Sequence, residues 1–328
     1  MGQYVIDIHI HLACLGDGGK GGKLSAKMRY SLPFLAMLCM HRLTPWSVDD
    51  HQLRTRVIAA IEGATQLDFG VVLALDAVHD ASGRPAMAQT HLYTPNETVC
   101  ELSRQCHKIL FGASVHPNRP DALELLAKWK EAGAVLLKWL PSAQKIDPAE
   151  PRYRKFYQKL AELKLPLLCH TSVEHVVPSH GYQFCNDPQR LELALSEGVT
   201  VIAAHSCVPS IAFDHDYFPQ FAALLQRAET RGWNLFADLS AMCLPGRLRQ
   251  VARVKAAIPA HRMVLGSDFP VPMFPTSSRY IPAYQTLPEN PLDRNLEVLR
   301  RMGFPETAFT RASAILPLPQ WKINAGCV

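Results

Sequence analysis

The composition of this chain is that of an ordinary globular protein whose charges are spread along the sequence. It has 328 residues, of which 48% are hydrophobic, and its 34 Lys and Arg against 29 Asp and Glu give a net charge of +5. Length alone allows either one large α/β barrel or two ordinary domains. Because the charges are dispersed rather than collected into arms or stripes, nucleic-acid binding is not expected.

The sequence contains no recognisable secretory or membrane-spanning segment. Met1 is followed almost at once by a strand-like segment, without the basic and apolar regions of a signal peptide. The longest apolar stretch, residues 32–40, is about half the length that spans a bilayer. Nine cysteines are scattered without CxxC spacing, as is typical of free thiols in a reducing compartment. We therefore expect a cytoplasmic protein that does not associate with membranes.

Eight segments of the chain are predicted to be strands, with helical patterns between most of them. The strand candidates are 4–11, 69–78, 109–116, 134–140, 165–171, 199–206, 234–240 and 263–268. The clearest helical patterns are 121–132, 153–163, 188–197 and 218–231. Strands that alternate with helices predict a parallel sheet, and eight regularly spaced units predict a (β/α)8 TIM barrel that forms a single domain over residues 1–328.

Two connections are longer than a barrel needs. Residues 12–66, between the first two strands, are predicted to form a lid-like insertion over the barrel mouth, with a buried or lid helix at 32–40. After the eighth strand, six prolines between residues 270 and 291 prevent regular structure. We expect substrate selectivity to depend on four loops, at residues 12–66, 172–186, 207–217 and 270–291.

Polar residues follow several of the apolar segments, at the point where each predicted strand ends. The first strand ends in a His-x-His pair, which places His9 and His11 on one side of the strand. Four further apolar runs end in Lys138, His170, His205 and Asp268. The C-terminal ends of barrel strands meet at one mouth, where the active sites of such barrels lie. These segments therefore predict a single site.

The residue types at this site predict a divalent metal ion. Three or four ligands among His9, His11, His170 and Asp268 leave a coordination position for water, and zinc is expected, with manganese or iron as alternatives. Such an ion lowers the pKa of its water and polarises a carbonyl oxygen. Asp268 is predicted to take the proton and pass it to the leaving group. His205 is predicted either to bind a second metal ion or to polarise the substrate and handle protons.

Together these motifs resemble the amidohydrolase superfamily, most closely its amidohydrolase-related branch of metal-dependent TIM-barrel hydrolases. The resemblance covers nearly the whole chain and includes the Gly-Ser-Asp-Phe-Pro motif at 266–270, Val115-His116-Pro117 and Leu239-Ser240. It implies a barrel with one or two metal ions that hydrolyses amides, lactones or esters, although some members are decarboxylases or hydratases. The TatD-like nucleases share the His-x-His pair, but their fourth strand ends in a carboxylate where this chain has Lys138.

Lys138 decides between one metal ion and two. The resemblance implies that a lysine at the end of strand four can be carboxylated to a carbamate that bridges two ions. The alternative is an unmodified lysine, held by Asp7 or by a substrate carboxylate, beside a single ion, and this is the reading that we favour. Asp7 is also a candidate for orienting a ligand imidazole.

The expected function is therefore hydrolysis of a cyclic amide, lactone or ester by a metal-activated water. A single-metal decarboxylase or lyase is the alternative, and a barrel that only binds a ligand is the third reading. A small-molecule substrate is expected, and the sequence is compatible with a homo-oligomer. Further candidates for substrate contact are Glu174, His175 and His180, and for gripping a carboxylate Arg29, Arg42, Arg279 and Arg294. His116 is expected either to contact a ligand residue from behind or to support the structure.

Overall fold

A closed parallel barrel forms the centre of the protein. The computed structural model describes residues 3–16, 21–179, 181–271 and 287–325. The barrel strands, in their order around the sheet, are β1 (Ile6–His11), β3 (Phe69–Leu73), β5 (Ile109–Ala113), β6 (Ala134–Trp139), β7 (Leu167–Cys169), β8 (Val201–Ala203), β9 (Leu235–Asp238) and β10 (Met263–Val264). Hydrogen bonds from Ile8 N to Leu265 O (3.1 Å) and from Asp268 N to His9 O (2.9 Å) join the two ends of the sheet. The predicted TIM barrel is confirmed.

Helices follow the strands in the order that the sequence predicted. They are α1 (Ala26–Arg29), α2 (Leu32–Met40), α3 (Asp50–Glu62), α4 (Asn96–Gln105), α5 (Ala122–Glu131), α6 (Pro141–Gln144), α7 (Arg154–Glu162), α8 (Glu192–Ser196), α9 (Phe218–Arg231), α10 (Pro245–Leu248), α11 (Val251–Ala257), α12 (Pro291–Arg301), α13 (Glu306–Thr310), α14 (Ala312–Ile315) and α15 (Gln320–Ala325). The predicted patterns at 121–132, 153–163 and 218–231 correspond to α5, α7 and α9. Within the described part of the chain, no helix combines the length and apolarity needed to cross a membrane.

The strands are continuous hydrophobic runs because each strand packs between two apolar layers, one inside the barrel and one against the surrounding helices. Val71 packs inside the barrel with Leu110 and Leu136, whereas its neighbour Val72 packs against the surrounding helices. Because strands of a parallel barrel are buried on both faces, both members of each alternating pair are apolar. Each fully buried aliphatic side chain of this kind stabilises the fold by about 1.5–3 kcal/mol.

The segment between β1 and β3 packs across the mouth of the barrel. Helix α2 occupies the predicted range of residues 32–40, and its Phe34 and Leu38 are buried in a third apolar cluster with Leu75 and Leu140 from the barrel loops. A short strand in this segment, β2 (Lys23–Leu24), pairs antiparallel with β4 (Leu92–Tyr93), which follows β3. Most of the proline-rich loop that was predicted after the last strand, residues 272–286, lies outside the described residues.

Several strands end earlier than the sequence predicted. The predicted strand 199–206 is reduced to β8 at 201–203, and the predicted strand 263–268 to β10 at 263–264. His205 and Asp268 consequently lie just beyond their strands, with φ angles of +59° and +68°. This left-handed backbone conformation cannot belong to a strand. The apolar runs predicted the strands correctly, but the polar residues that follow them turn the chain.

Candidate metal centre

Three side chains converge at the mouth of the barrel. The Nε2 atom of His9 lies 3.1 Å from Nε2 of His11 and 3.4 Å from Oδ1 of Asp268, and His11 Nε2 lies 3.2 Å from the same oxygen. His9 is fully buried, whereas 30% of the His11 side chain is exposed. Two imidazole nitrogens and a carboxylate oxygen that approach one another this closely are a candidate donor set for a metal ion.

His170 adds a fourth candidate donor. Its Nε2 atom is buried and has no hydrogen-bond partner in the described part of the chain, although Oε2 of Glu174 lies 3.4 Å away. A buried polar atom without a partner costs about 1–3 kcal/mol. Binding of a metal ion at Nε2 would remove this cost. The residues present therefore fit a divalent ion held by His9, His11, His170 and Asp268.

Asp238, at the end of β9, orients two of the histidines. Its Oδ2 accepts a hydrogen bond from Nδ1 of His9 at 2.7 Å, and its Oδ1 accepts from the backbone N–H of His205 at 2.6 Å. With its Nδ1 proton committed to Asp238, His9 directs the lone pair of Nε2 towards His11 and Asp268. The sequence analysis missed Asp238. The signal was present, since the run Leu235-Phe236-Ala237 ends in an ionisable residue like the other strands.

Asp7 does not have the orienting role that was suggested for it. Its Oδ1 accepts hydrogen bonds from the backbone N–H groups of His9 and Ser267, each at 3.0 Å. Burial raises the pKa of Asp7 to about 7, although these hydrogen bonds oppose the rise. The pairing register of β1 shifts between Asp7 and Ile10. Because of this irregularity, side chains two residues apart in this part of β1 need not lie on the same face. The expected contact between Asp7 and the His9 imidazole depended on a shared face. In the described chain, no hydrogen bond or ion pair joins Asp7 to Lys138 either.

A chain of hydrogen bonds determines which nitrogen of His170 carries the lone pair. The Ser240 hydroxyl donates to Oδ1 of Asp238, because a carboxylate can only accept. Ser240 Oγ then accepts from Nδ1 of His205 at 2.8 Å. His205 Nε2 is left as an acceptor for Nδ1 of His170 at 3.1 Å. The lone pair of His170 is therefore on Nε2, the atom that has no partner among the described residues.

The electrostatics of the site keep these groups in the forms that bind a cation. Burial holds the pKa values of His9, His170 and His205 well below the usual 6.5, reinforced by the positive charge of Lys138 at His9 and His170 and of Arg247 at His205. The imidazoles are therefore neutral, which is the form that coordinates metal ions. Burial raises the pKa of Asp268, but the hydrogen bond from His11 and the nearby positive charges outweigh it, so that its pKa is lowered. Asp268 is thus ionised at neutral pH.

Lys138 lies beneath these ligands, inside the barrel. It is completely buried, and its Nζ lies 2.8 Å from Nε2 of His9. Burial lowers the pKa of Lys138, although the carboxylates of Asp238 and Asp268 oppose this effect. Lys138 Nζ and His11 Nε2 therefore both approach the same atom, Nε2 of His9.

The backbone around the site is tightly constrained. A Cβ atom at Gly266 would lie 3.0 Å from Cβ of His9 and 3.4 Å from Oδ2 of Asp238, so a larger residue would push these groups apart. His205, Ser206 and Cys207 have φ angles of +59°, +49° and +56°. Such strained conformations persist where surrounding contacts hold them. The hydrogen bond from His205 N to Asp238 is one of these contacts.

A cavity of about 180 Å³ lies next to the ligand cluster. Its polar lining residues include His11, His170, Glu174, His205, Arg247 and Asp268. Its remaining lining is mainly apolar and includes Met28, Phe34 and Met37 from the segment between β1 and β3. Since a cavity of about 150 Å³ holds a benzene molecule, this one has room for a single substituted ring.

Three further histidines and one carboxylate were named in the sequence analysis. His116 is fully buried, with Nε2 donating to the Gln144 carbonyl at 3.0 Å and Nδ1 accepting from Asn118 N at 3.1 Å. It supports the structure, which is one of the two roles expected for it. His175 is exposed and pairs with Asp214 at 2.8 Å, and both His175 and Glu174 line the cavity. His180 lies outside the described residues.

Three of the four arginines that were expected to bind a carboxylate lie in the described part of the chain, and none of these three lines the cavity. Arg29 donates from Nε to the Pro45 carbonyl at 2.8 Å, Arg42 is exposed, and Arg294 donates from Nε to the Pro288 carbonyl at 2.8 Å. Arg279 lies outside the described residues. The sequence analysis missed Arg247, which does line the cavity. Its position in the loop after β9, at the catalytic end of the barrel, was the available signal.

Comparison with known proteins agrees with this geometry. The family model described as amidohydrolase matches residues 6–297. The chain belongs to the amidohydrolase family. Members of this family are metal-dependent enzymes that act on small molecules, and this supports an enzymatic role for the present amidohydrolase. The comparison with curated proteins returned no match.

Solved structures with the same fold include both hydrolases and decarboxylases. A 5-carboxyvanillate decarboxylase from Sphingomonas paucimobilis is 12% identical with a TM-score of 0.57, covering 97% of this amidohydrolase and 100% of that chain. A protein from Pseudomonas putida, provisionally described as a 2-pyrone-4,6-dicarboxylic acid hydrolase, is 15% identical with a TM-score of 0.53, covering 99% and 98%. An uncharacterised TIM-barrel protein from Bordetella bronchiseptica is 14% identical with a TM-score of 0.55, covering 94% and 99%. At these identities, the likeness extends to the fold alone.

Proposed function

We propose that this amidohydrolase is a cytoplasmic, metal-dependent hydrolase of a small cyclic amide, lactone or ester. The observation that carries the proposal is the convergence of His9 Nε2, His11 Nε2 and Asp268 Oδ1 within 3.4 Å of one another, beside the unpartnered Nε2 of His170. Nitrogen and carboxylate donors of this kind favour zinc, with manganese or iron as alternatives.

The chain's own residues provide the acid and base groups that hydrolysis needs. A divalent ion held by His9, His11, His170 and Asp268 would lower the pKa of a water molecule and polarise the substrate carbonyl. Asp268 is ionised, so it accepts the proton of the attacking water and delivers it to the leaving nitrogen or oxygen. Glu174 is a buried carboxyl whose pKa is raised by burial, and it lies 3.4 Å from His170. It is therefore a second carboxyl group at the edge of the site, beside the base Asp268.

We infer one metal ion rather than two. A second ion would need a free nitrogen on His205, but its Nδ1 is engaged by Ser240 and its Nε2 by His170. Lys138 is an unmodified amine in this proposal, and a metal ion at Nε2 of His9 would replace the 2.8 Å contact that Lys138 Nζ makes with that atom. Carboxylation of Lys138 to a carbamate is the alternative, which a metal stoichiometry of two that depends on bicarbonate would favour. With a single ion, His205 handles protons and orients His170 instead of binding metal.

A single-metal decarboxylase of the same superfamily is the second candidate. Two observations favour it: the cavity accommodates one substituted ring, and proteins with the same fold are described as decarboxylases of 5-carboxyvanillate and 2,6-dihydroxybenzoate. In this reading a proton must replace the departing carboxylate on the ring carbon, and Glu174 and Asp268 are the carboxyl groups of the cavity that could relay it from water.

One experiment distinguishes these candidates. The purified protein is incubated with a panel of lactones, cyclic amides, aryl esters and aromatic carboxylates, and acid release and CO2 release are followed in parallel. The proposal predicts acid release without CO2, its loss on chelation and its recovery with zinc or manganese. CO2 release from a ring carboxylate would establish the decarboxylase instead. Metal-independent binding without turnover across the panel would favour a barrel that only binds a ligand.

A further inference from the structure

A buried arginine at the edge of the cavity has no partner in the described protein. Arg247 is only 4% exposed, and its Nε atom is buried without a hydrogen-bond partner. Among the described residues, no carboxylate lies within ion-pair distance of its guanidinium, although the cavity contains Glu174 and Asp268. A guanidinium carries five donors and does not lose its charge in proteins, so leaving it both buried and unpaired is costly.

The chain is built to hold Arg247 in this place. It belongs to α10, which starts at Pro245 in the segment that follows β9. A Cβ atom at Gly246 would lie 1.7 Å from the carbonyl oxygen of Ser210, so only glycine permits this close approach of the two loops. The packing fixes the backbone next to Arg247, whose side chain lines the cavity that also contains His170 and His205.

The acidic residues of the site do not need Arg247 as a charge partner, so they do not explain its position. The carboxylates of Asp238 and Asp268 already have partners, in His9 and Ser240 for Asp238 and in His11 for Asp268. Glu174 accepts hydrogen bonds from Val176 N at 2.6 Å and Val177 N at 2.8 Å. Burial lowers the pKa of Arg247, although these carboxylates oppose the effect. The donors of Arg247 thus remain available to a molecule in the cavity.

We propose that Arg247 binds a carboxylate of the substrate, and that the substrate is a monocarboxylate with an apolar, ring-sized body. The planar guanidinium matches a carboxylate in two parallel hydrogen bonds. Met28, Phe34 and Met37 form an apolar wall of the same cavity. Among the described residues that line the cavity, Arg247 is the only arginine or lysine. We therefore expect the substrate to carry one carboxylate rather than two. The choice of substrate class rests on the function proposed above, whereas the anion site itself does not.

The test compares an anionic probe with its neutral isostere. Binding of benzoate and benzamide is measured by calorimetry on the full-length protein, both as purified and after chelation of metal. Arg247→Met removes the guanidinium but keeps an unbranched side chain. Arg247→Lys keeps the positive charge but loses the paired N–H donors of the guanidinium. Arg249→Gln is the matched control, because Arg249 is an arginine two residues further along the same turn that does not line the cavity.

The native protein is expected to bind benzoate more tightly than benzamide, and to retain this preference after chelation. Arg247→Met should weaken benzoate binding by about 10- to 100-fold, the effect of losing a charge-assisted pair, and leave benzamide binding unchanged. Arg247→Lys should lie between the two, and Arg249→Gln should match the native protein. Isophthalate, with a second carboxylate, should bind more weakly than benzoate.

Three outcomes would overturn the proposal. They are equal binding of benzoate and benzamide by the native protein, a preference for benzoate that disappears on chelation, and full benzoate affinity in a folded Arg247→Met. If Arg247→Met does not fold, the native preference after chelation and the Arg247→Lys affinity decide the question. Failure of the hydrolase proposal would be recognised separately, by absence of metal-dependent turnover while the Arg247-dependent preference persists.

Discussion

Two groups of buried histidine and aspartate lie at the C-terminal end of this barrel, and they differ in how completely their polar atoms are satisfied. In the first, both ring nitrogens of His116 have partners, and Asp76 accepts from His116 N at 2.8 Å and Ala77 N at 2.9 Å. In the second, Nε2 of His170 has no partner among the described residues, and neither does Nε of the nearby Arg247.

This difference separates a structural group from a candidate functional site. Native proteins satisfy nearly all of their buried polar groups, so two residues with unsatisfied atoms that line the same cavity mark it as a candidate ligand site. Residue type alone does not distinguish the two groups, because both contain imidazoles and carboxylates that follow barrel strands. The decisive property is the hydrogen-bond partner of each individual atom.

The largest expected effect is that of Asp268→Asn. The change keeps the size of the side chain but removes the proton acceptor, so turnover should fall by about 10²-fold or more. The measurement is the steady-state rate on whichever substrate the panel identifies. As a matched change in the satisfied group, Asp76→Asn should lower the melting temperature but leave the turnover of folded protein within a few-fold of native. Near-native turnover by Asp268→Asn would mean that another residue is the general base, and His205 would be the next candidate.

A smaller effect is expected for Asp238→Asn. An amide cannot accept both of the hydrogen bonds that Asp238 accepts from His9 and His205 with the same strength, so His9 loses its fixed orientation. Loss of such an orienting partner typically weakens metal binding by about 10- to 100-fold. Competition with a chelator of known affinity measures this change. Unchanged metal affinity would contradict the orienting role of Asp238.

The smallest predicted effect concerns the satisfied group and its pH dependence. Burial lowers the pKa of His116 from 6.5 to about 3. Below pH 6.5 the unfolded chain therefore binds a proton that the folded chain does not, and stability decreases as the pH falls, by up to about 1.4 kcal/mol per pH unit from this residue. Denaturant unfolding of native protein and His116→Gln between pH 6.5 and 4.5 should show a shallower slope for the variant. Parallel slopes would mean that His116 is protonated when folded.

The strands and the convergence of their polar ends were predictable because they depend on local pattern. A run of apolar residues that ends in a polar one, such as Val201-Ile202-Ala203 followed after Ala204 by His205, indicates a doubly buried strand and its C-terminal end in any parallel barrel. The ranges of α2, α5 and α9 followed from similar local signals.

The contacts within the site were not predictable in the same way. The role assigned to Asp7 failed because the register shift between Asp7 and Ile10 depends on pairing with β3, which is distant in sequence. The burial of Arg247 depends on the approach of Gly246 to Ser210, which a linear pattern does not contain. Hydrogen-bond satisfaction is a property of the folded chain, and it identified both Asp238 and Arg247.

The metal content of three proteins tests the central claim most directly. Native protein, His170→Ala and His116→Ala are purified without chelators, supplied with zinc or manganese, and analysed for bound metal after dialysis. We predict about one equivalent in the native protein and in folded His116→Ala, and a large loss in His170→Ala, whose unpartnered Nε2 is removed. Native protein that retains no metal, or His170→Ala that retains as much as native protein, would contradict the account.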